Sequence, residues 1–441
     1  MTIPINVEML NEANLLLDRD AFLTGLLSQV TTNKNDSSLQ NLRDGAISWV
    51  RHSVIPNTRD EEWRFTDLSP LKKVTFKNVG TIDELSLQDD FVLPDVGHRL
   101  VFINGVFAAS LSEVSNLPTG VKIGNLDVLP TQVAQEYLAQ AEGEKEVFTA
   151  LNTAGLNDVA VVWVGKNVIV ENPIHLLFIS VSANAATISQ PRCLVIAESN
   201  SQVTLIEEYV ASSAQEVYLK NSVTEVWVNE NAQVHHSRVV LESDAGFHIG
   251  KTAVTQARYS RYSCNSVTIG GKISRHNLEI LQTGEQTETT LNGLTVIADK
   301  QLADTHSALS LNHPYGVSKQ LHKCIISDRA HGVFNGKIFV PKPAQLTDAA
   351  QLNRNLLLSS KSRIDTKPQL EITADNVKCA HGATVSQLED DEIFYLQSRG
   401  IDEHNARKLL VNAFASEIIN FIPVASLRDK LLNKVVSLTD K

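Results

Sequence analysis

The sequence contains few cysteines for its length, and they do not cluster. Four cysteines are spread over a chain of 441 residues, and no two of them form a Cys-x-x-Cys pair. This sparse usage excludes a disulfide framework of the kind that holds small secreted domains together. We therefore expect reduced thiols and a cytoplasmic location. The four residues are Cys193, Cys264, Cys324 and Cys379.

Positive charge and long apolar runs are also scarce. Lysine and arginine number 39 against 50 aspartates and glutamates, which gives a formal net charge of −11. Without a dense cationic face the chain cannot neutralise a row of phosphates, so no nucleic-acid partner is expected. No apolar run approaches the roughly 20 residues that cross a bilayer. The amino terminus lacks the pattern of a signal peptide, so we expect a soluble protein with no membrane partner.

The amino-terminal part of the chain has mainly helical patterns. Apolar residues recur at helical spacing within 15–27 and again within 39–54. The segment DEEWRFTDLSPL at 60–71 is acidic and aromatic, and it predicts a lid or docking loop with Trp63 and Phe65 as packing anchors. Further along, the dipeptide Asn104-Gly105 lies between two apolar runs and predicts a β-hairpin.

Short strands with alternating apolar residues dominate the middle of the chain. The segment 200–210 resembles 231–241, and 257–270 can be laid over 285–298, so similar segments recur at offsets of about 25–31 residues. A period of this length is typical of stacked coils, each of which buries its inward face against the next. The pattern therefore favours a parallel β-helix over a β-sandwich.

The carboxyl-terminal region returns to helical patterns. Gly400 is placed to end one helix, and Asp402 is placed to cap the next. Ser426 and Asp429 resemble the capping box of a last short helix. The second helix is predicted to bury one apolar stripe, made of Ala406, Leu409, Leu410, Ala413, Phe414 and Ile418.

Three domains follow from these patterns. We predict a helical or mixed amino-terminal domain over 1–155, a parallel β-helix core over 156–388 and a helical docking domain over 389–441. The fold class is mainly β, and the helices at both ends would cap the open ends of the solenoid.

Two Cys–His pairs could contribute metal ligands. Cys379 and His381 lie at i and i+2, so on a strand their side chains share a face at roughly 6.5–7 Å between Cα atoms. His322 and Cys324 have the same spacing, and His331 follows them. Thiolate and imidazole suit iron, zinc or copper(I), but two ligands do not complete a site. A metal bound at either pair would need further ligands from elsewhere in the fold or from a partner.

Sequence signatures of common enzymes are missing. The chain has no nucleophile elbow, Walker loop or dinucleotide fingerprint, so we expect no enzyme activity. Because β-helices host polysaccharide-active enzymes, the pairs Glu207-Glu208 and Asp390-Asp391 keep that alternative open. Neighbouring carboxylates diverge on a strand or at a helix start, so we interpret both pairs as solvated charges. A purely structural interaction scaffold is the other alternative.

The segment 334–402, with its motifs NRNLLLS and VKCAHGAT, resembles SufD-type members of the SufB/SufD family, which take part in SUF iron–sulfur cluster assembly. DEEWRFTDLSPL at 60–71 resembles the amino-terminal motif of that family. The resemblance implies a right-handed parallel β-helix that pairs with SufB, and carboxyl-terminal helices that bind the ATPase SufC in a SufBCD complex. It also implies a transient iron–sulfur cluster or iron at the SufB interface, and a possible homodimer when the chain is alone.

The resemblance also assigns roles to particular residues. The family histidine of the assembly site corresponds to His381, and Cys379 matches the neighbouring family cysteine. His322 and Cys324 have no such counterpart and are interpreted as structural. The residues expected to dock SufC are Tyr395, Leu396, Arg399, Gly400, Ile401, Leu409 and Phe414.

Overall fold

The computed structural model describes residues 19–30, 39–79, 87–141, 146–182 and 185–439. Its main body is a parallel β-solenoid of about eight turns, with helices at the amino and carboxyl ends of the chain. The predicted mainly β fold class is therefore confirmed. No helix in these ranges is long and apolar enough to cross a membrane.

The strands and helices follow one another in a regular order. The strands are β1 (His98–Ile103), β2 (Val106–Phe107), β3 (Val121–Gly124), β4 (Ala160–Val164), β5 (Ile174–Ser180), β6 (Thr187–Ser189), β7 (Arg192–Ala197), β8 (Gln202–Ala211), β9 (Tyr218–Val228), β10 (Gln233–Leu241), β11 (Phe247–Gln256), β12 (Arg261–Ile269), β13 (Ile273–Gln282), β14 (Glu288–Ile297), β15 (Leu302–Ser310), β16 (Val317–Ile326), β17 (His331–Val340), β18 (Asp348–Leu357), β19 (Arg363–Ile372) and β20 (Lys378–Ser386). The helices are α1 (Ala21–Leu27), α2 (Gln40–Arg51), α3 (Ser69–Lys72), α4 (Thr131–Tyr137), α5 (Val147–Ala154), α6 (Asp390–Ser398), α7 (Glu403–Ile419) and α8 (Ala425–Thr439).

Two long sheets form opposite sides of the solenoid. The first sheet has the order β2-β1-β5-β8-β10-β12-β14-β16-β18-β20, and the second has the order β19-β17-β15-β13-β11-β9-β7-β4-β3. All pairs along these paths are parallel except β1–β2 and β3–β4. Strands from before residue 155 thus share the sheets with strands from after it, and the predicted domain boundaries stay predictions.

One corner of the solenoid is marked by a column of left-handed residues. Asn167, Asn200 and Asn231 have φ values of 62°, 61° and 56°. Their side chains form a ladder in which the amide of Asn200 donates to Asn167 at 2.8 Å and that of Asn231 to Asn200 at 2.9 Å. Asparagine tolerates this backbone conformation better than most residues. The column continues from Asn231 at spacings of 27–31 residues, in agreement with the predicted period, through Tyr259, Gln286, Tyr315 and Leu346.

The register between coils was predicted correctly in one of two cases. Gln202 of β8 pairs with Gln233 of β10, at the offset of the predicted match between 200–210 and 231–241. Cys264 of β12 pairs with Leu291 of β14, so the predicted superposition of 257–270 on 285–298 is wrong by one residue. The coil between these two strands is one residue shorter than assumed. Because strand side chains alternate, that slip would turn every inward residue outward.

The helix and hairpin predictions for the amino-terminal region are confirmed where the structure describes it. The first helical stripe begins outside the described residues, and α1 starts at Ala21 after Asp20, whose carboxylate accepts the backbone N–H groups of Phe22 and Leu23. The second stripe corresponds to α2. Asn104 and Gly105, with φ of 49° and 85°, make the tight turn between β1 and β2.

The acidic and aromatic segment 60–71 packs against the outer face of the second sheet. Trp63 is buried, and the hydroxyl of Thr66 donates to Asp304 of β15 at 2.5 Å. The imidazole of His306 shares a hydrogen bond of 3.0 Å with Glu62. Trp63 is therefore an anchor as predicted, and the segment connects the amino-terminal helices to the solenoid.

The carboxyl-terminal helices α7 and α8 cover the outer face of the first sheet. The predicted stripe of α7 is wrong in part, because Leu409 is 49% exposed while Val411 and Ala415 are buried. The capping box is also wrong, since α8 already starts at Ala425 and Ser426 bonds instead to the carboxylate of Asp95. The apolar contact with the sheet is made by Ile206, Val239, Val267, Leu294, Ile325, Val411, Ala415, Ile418, Ile419, Leu427, Leu431 and Val435.

Candidate functional site

The solenoid ends in an open coil made by β19 and β20. These strands are the last members of their sheets, and no other strand of the described chain pairs with their outer edges. The residues of β20 are exposed or half-buried along its whole length, in contrast to the mostly buried strands of the preceding coils. An uncovered strand edge presents free backbone donors and acceptors to any strand that approaches it. We call this surface the open end.

Both residues of the Cys-x-His motif lie on β20 at the open end. Cys379 pairs with Ala349 and His381 with Gln351 of β18, and both of these partners are buried inward-facing residues. Cys379 and His381 therefore point to the inner side of the last coil, on the shared strand face that their spacing predicts. Since no further coil covers them, His381 is exposed and Cys379 is only half-buried.

The chemistry available at the open end is that of an incomplete ligand set. Burial raises the pKa of the Cys379 thiol, so the sulfur is protonated at neutral pH and would lose its proton on binding a metal. Within the described ranges, no group of three or more His, Cys, Asp or Glu side chains is arranged to hold a metal ion. The imidazole of His381 and the thiol of Cys379 are the two soft ligands that this surface offers to a facing partner.

The second Cys–His pair lies in a different environment. His322 and Cys324 are buried inside the solenoid on β16, while His331 lies on β17 and pairs with Asp365 at 2.7 Å. Burial lowers the pKa of His322 to about 4 and raises that of Cys324 to about 12, so both side chains are neutral at physiological pH. This environment agrees with their interpretation as structural residues.

The interpretation of Glu207 and Glu208 as solvated charges is wrong. Both side chains are almost fully buried, on opposite sides of β8. Glu207 points into the solenoid and meets His236 at 2.7 Å, and Glu208 points outward and meets His175 at 3.0 Å. Burial would raise the pKa of Glu207, but the hydrogen bond and charge of His236 and the charge of Arg238 outweigh it and lower that pKa to about 2.

A second group of charged residues is buried one coil further along. Glu242 is held by Lys220 at 3.1 Å and by His248 at 2.6 Å. Burial would raise the pKa of Glu242, but these two neighbours lower it to about 2. Burial lowers the pKa of His248 to about 4, although Glu242 acts in the opposite direction. The interior of the solenoid thus combines ionised carboxylates with neutral imidazoles.

These buried groups predict a loss of stability on acidification. His248 and His322 have folded-state pKa values near 4, below the ordinary value of 6.5, so between those values the unfolded chain binds more protons than the folded chain. Each histidine should then cost about 2 kcal/mol of unfolding free energy when the pH falls from 7.5 to 5. The lowered pKa values of Glu207 and Glu242 extend the loss below pH 4.5.

Thermal unfolding measured at several pH values checks this expectation. The raised pKa of His306 acts in the opposite direction and should offset a part of the loss. His322→Gln, which removes one titrating group, should make the unfolding midpoint less dependent on pH between 7.5 and 5. A midpoint that is flat over this range in the unaltered protein would contradict the prediction.

The residues predicted for partner docking lie around the turn between α6 and α7. Tyr395 is 58% exposed, and the guanidinium of Arg399 lies 5.4 Å from the centre of its ring. Gly400 ends α6 with a φ of 86°, and Leu409 is exposed on the next helix. Leu396 and Ile401 are half-buried between these residues.

Two residues make the observed docking surface differ from the predicted one. Phe394 is 70% exposed beside Tyr395 and was not predicted, although two adjacent aromatics in a short helix after an acidic start were a visible signal. Phe414 is half-buried, and the ammonium of Lys323 lies 3.9 Å from the centre of its ring. The exposed apolar surface of the carboxyl-terminal helices, which we call the helical face, is therefore formed by Phe394, Tyr395 and Leu409.

Two partly buried interactions fix helices α7 and α8 to the solenoid. Lys323 of β16 donates to the carbonyl of Phe414 at 2.8 Å and to Glu417 at 2.5 Å. Lys430 of α8 donates to Glu208 of β8 at 2.5 Å. Charge-assisted hydrogen bonds of this kind are stronger than neutral ones. Helices α7 and α8, the first of which contributes Leu409 to the helical face, are thus held in a defined position relative to the solenoid.

Comparisons with known proteins show sequence similarity over nearly the whole chain. A family model described as the SufBD core domain of SUF system FeS cluster assembly matches residues 178–414, and one described as the SufBD protein N-terminal region matches 26–176. An iron–sulfur cluster assembly SufBD family protein of Synechocystis is 46% identical over 98% of both chains.

More distant relatives cover most of the chain as well. The chloroplastic protein ABCI7 of Arabidopsis thaliana is 36% identical over 91% of this chain and 86% of its own length. The iron–sulfur cluster assembly protein SufD of Escherichia coli is 29% identical over 86% of this chain and 88% of its own length. The similarity thus includes both the helical regions and the solenoid.

Proposed function

Because the chain belongs to the SufBD family of the SUF system for iron–sulfur cluster assembly, we propose that it is a non-catalytic scaffold subunit that pairs with SufB and docks the ATPase SufC. The observation that carries this proposal is the open end, where two unpaired strand edges lie beside exposed His381. The solenoid of a second subunit could add its own edge strands there and continue both sheets.

The cluster is cargo of this assembly rather than a resident group. His381 offers one imidazole and Cys379 one thiol, and four ligands are the usual requirement of a cluster. The remaining ligands would come from SufB. A cluster held by few ligands at a boundary between subunits is released more easily than one enclosed by a single chain. This accounts for a transient cluster, or iron alone, at the interface.

The helical face supports a second contact in the same assembly. Phe394, Tyr395 and Leu409 expose apolar area beside Arg399, a combination enriched at the centres of protein interfaces. We propose that this face binds SufC. Because Lys323 and Lys430 fix helices α7 and α8 to the sheet, movement of an ATPase bound at Leu409 of α7 would reach the solenoid and with it the open end.

The alternative of a polysaccharide-active enzyme has little support in the geometry. Glu207 and Glu208 are buried on opposite sides of one strand, so they cannot both face a glycosidic bond. Asp390 and Asp391 are exposed in the first turn of α6, as expected for solvated charges at the positive end of a helix.

Pairing at the open end can be tested with Val385→Glu. Val385 is 52% exposed on β20, and an unpaired carboxylate there would be buried if a second solenoid covered the open end. We expect co-purification of SufB with the tagged variant to fall by about tenfold, because a cost of 1.4 kcal/mol already produces that change. Binding of SufC should stay unchanged.

Ile169→Glu is the matched control for this experiment. Ile169 is 59% exposed and lies near the first coils of the solenoid, far from β20 in the order of the sheet. It should leave recovery of SufB unaltered. Equal recovery of SufB with Val385→Glu and with the unaltered chain would refute pairing through the open end.

A further inference from the structure

A large cleft lies between the amino-terminal helices and the outer face of the second sheet. It encloses about 1030 Å³, and its floor is formed by strands β13, β15 and β17. Its walls come from the end of α2, the segment after it and the start of α5. The volume is at the upper end of the range for sites that hold small organic ligands. The cleft reaches β19 at Glu371, and none of its lining residues belongs to β20 or to the helical face.

The charged groups that line the cleft are mostly acidic. Six carboxylates and two permanently charged cations, Arg275 and Lys337, line the cleft. Four of the carboxylates already pair with cationic side chains of the chain itself, namely Glu61 with Lys367, Glu62 with His306, Glu279 with Lys251 and Glu371 with Lys337. Arg275 is already engaged, because it pairs with buried Asp304 and lies 4.0 Å from the centre of the Trp63 ring. Lys337 pairs with Glu371 at 2.8 Å. The carboxylates are Asp60, Glu61, Glu62, Glu146, Glu279 and Glu371.

Hydrogen-bond acceptors without a partner are buried in the same lining. Asn335 is only 8% exposed, and its Oδ1 atom has no partner among the described residues. The Oδ1 of Asn277, two strands away in the same row of the floor, is also unpartnered. At the wall, Glu146 accepts from Thr149 through Oε2, whereas its Oε1 has no partner in the part of the chain that the structure describes. Such orphaned acceptors are costly unless a donor occupies the site.

Aromatic side chains complete the lining. Trp49, Trp63 and Phe339 contribute to the walls and floor of the cleft. The faces of aromatic rings attract cations, and their apolar area suits an alkyl chain. Acceptors without donors, one of them on the carboxylate of Glu146, and aromatic walls are complementary to a positively charged donor with an apolar body.

We propose that this cleft is a binding site for an organic cation, an alkyl chain that ends in a primary ammonium group. The ammonium would be held among the unpartnered acceptors of the lining, which include Glu146 Oε1 and Asn335 Oδ1, and the alkyl chain would lie against the aromatic walls. Burial raises the pKa of Glu146, and a bound ammonium would counteract that shift by stabilising the carboxylate. The same ligand chemistry can come from a free amine or from a lysine side chain of a peptide.

Calorimetric titration of the full chain at low salt tests the proposal. The probes are 1,5-diaminopentane for the free amine, a blocked Gly-Lys-Gly peptide for the lysine side chain, and glutarate as a dianion of the same length as the diamine. We expect saturable binding of at least one cationic probe and none of glutarate. Tighter binding of the peptide would assign the site to a protein lysine, and tighter binding of the diamine to a free amine.

Variants assign the binding to this cleft. Glu146→Gln and Asn335→Leu should each weaken binding of the cationic probe by about tenfold, as expected for the loss of a charge-assisted hydrogen bond. Glu171→Gln, which alters an exposed carboxylate outside the cleft, should bind as the unaltered chain does. Circular dichroism would verify that each variant is folded. The proposal is overturned by equal affinity of all three variants, by equal binding of glutarate, or by no saturation with either cation.

Discussion

Replacing His381 by Ala should remove most of the iron–sulfur cluster that the assembled complex builds, while the complex itself still forms. His381 is exposed on the last strand, so its loss leaves no cavity and disturbs no core contact. Loss of one ligand to a site held by few ligands should reduce cluster occupancy by about tenfold or more. Anaerobic reconstitution, followed by measurement of iron and sulfide per complex, checks this result.

Lys378→Ala is the matched control for the histidine variant. Lys378 is exposed on the same strand, three residues away, and its side chain points to the opposite face. Its replacement should leave cluster content unchanged. Size-exclusion chromatography would show whether both variants still assemble with SufB and SufC. Normal cluster loading of His381→Ala would mean that the chain is a purely structural scaffold.

Gly293→Ala should cause the largest loss of stability among the substitutions considered. Gly293 of β14 points into the solenoid beneath the ring of His322, and an added Cβ would lie 2.6 Å from the ring Cε1 atom. The ring cannot move away easily, because it stacks on Phe334 at 4.9 Å and shares a hydrogen bond of 3.1 Å with Thr295. Overpacking in such an interior should cost about 3 kcal/mol.

Chemical denaturation measures the loss of unfolding free energy caused by Gly293→Ala. Two further variants show whether the His322 ring is its source. Gly25→Ala in helix α1, where an added Cβ meets nothing within 4 Å, should be neutral or slightly stabilising. The double variant Gly293→Ala with His322→Ala should be less unstable than the sum of the two single losses, because the clash is absent. Strict additivity of the two losses would show that the ring is not the source of the strain.

The solenoid repeat could be predicted from the sequence, because similar strand segments recur along the chain. Asparagine is a local sequence signal for the left-handed corner residue, as at Asn200 and Asn231. Tyr259 and Leu346 occupy the same corner without any local signal, since their backbone conformation is imposed by the coils above and below. The one-residue error between β12 and β14 arose in the same way. Coil length varies, and only the stacked structure fixes it.

The polar interior could not be predicted from local patterns. In an alternating strand, Glu207 would be assigned to the solvent face, because burial of an isolated carboxylate is prohibitive. Its partner His236 lies 29 residues further along the chain and becomes a neighbour only when the next coil stacks. Glu208 depends in the same way on Lys430 from the last helix.

The positions of the predicted site residues could be read from the sequence only in part, and the rest has a physical cause. The spacing of Cys379 and His381 was sufficient to place them on one strand face. The exposure of His381 depends on β20 being the last strand of its sheet, which no local pattern indicates. Phe414 was assigned to docking, but Lys323 from a distant strand partly covers it.

The two lysine anchors also have a mechanical consequence. Lys430 reaches the solenoid at β8 and Glu417 reaches it at β16, four strand spacings or about 19 Å apart along the solenoid axis. Helices α7 and α8 therefore bridge several coils of the solenoid and connect β8 to β16. A force applied to these helices is divided between two attachment points that lie several coils apart. Such a force would therefore bend or twist the solenoid between those points before it separates the helices from the sheet.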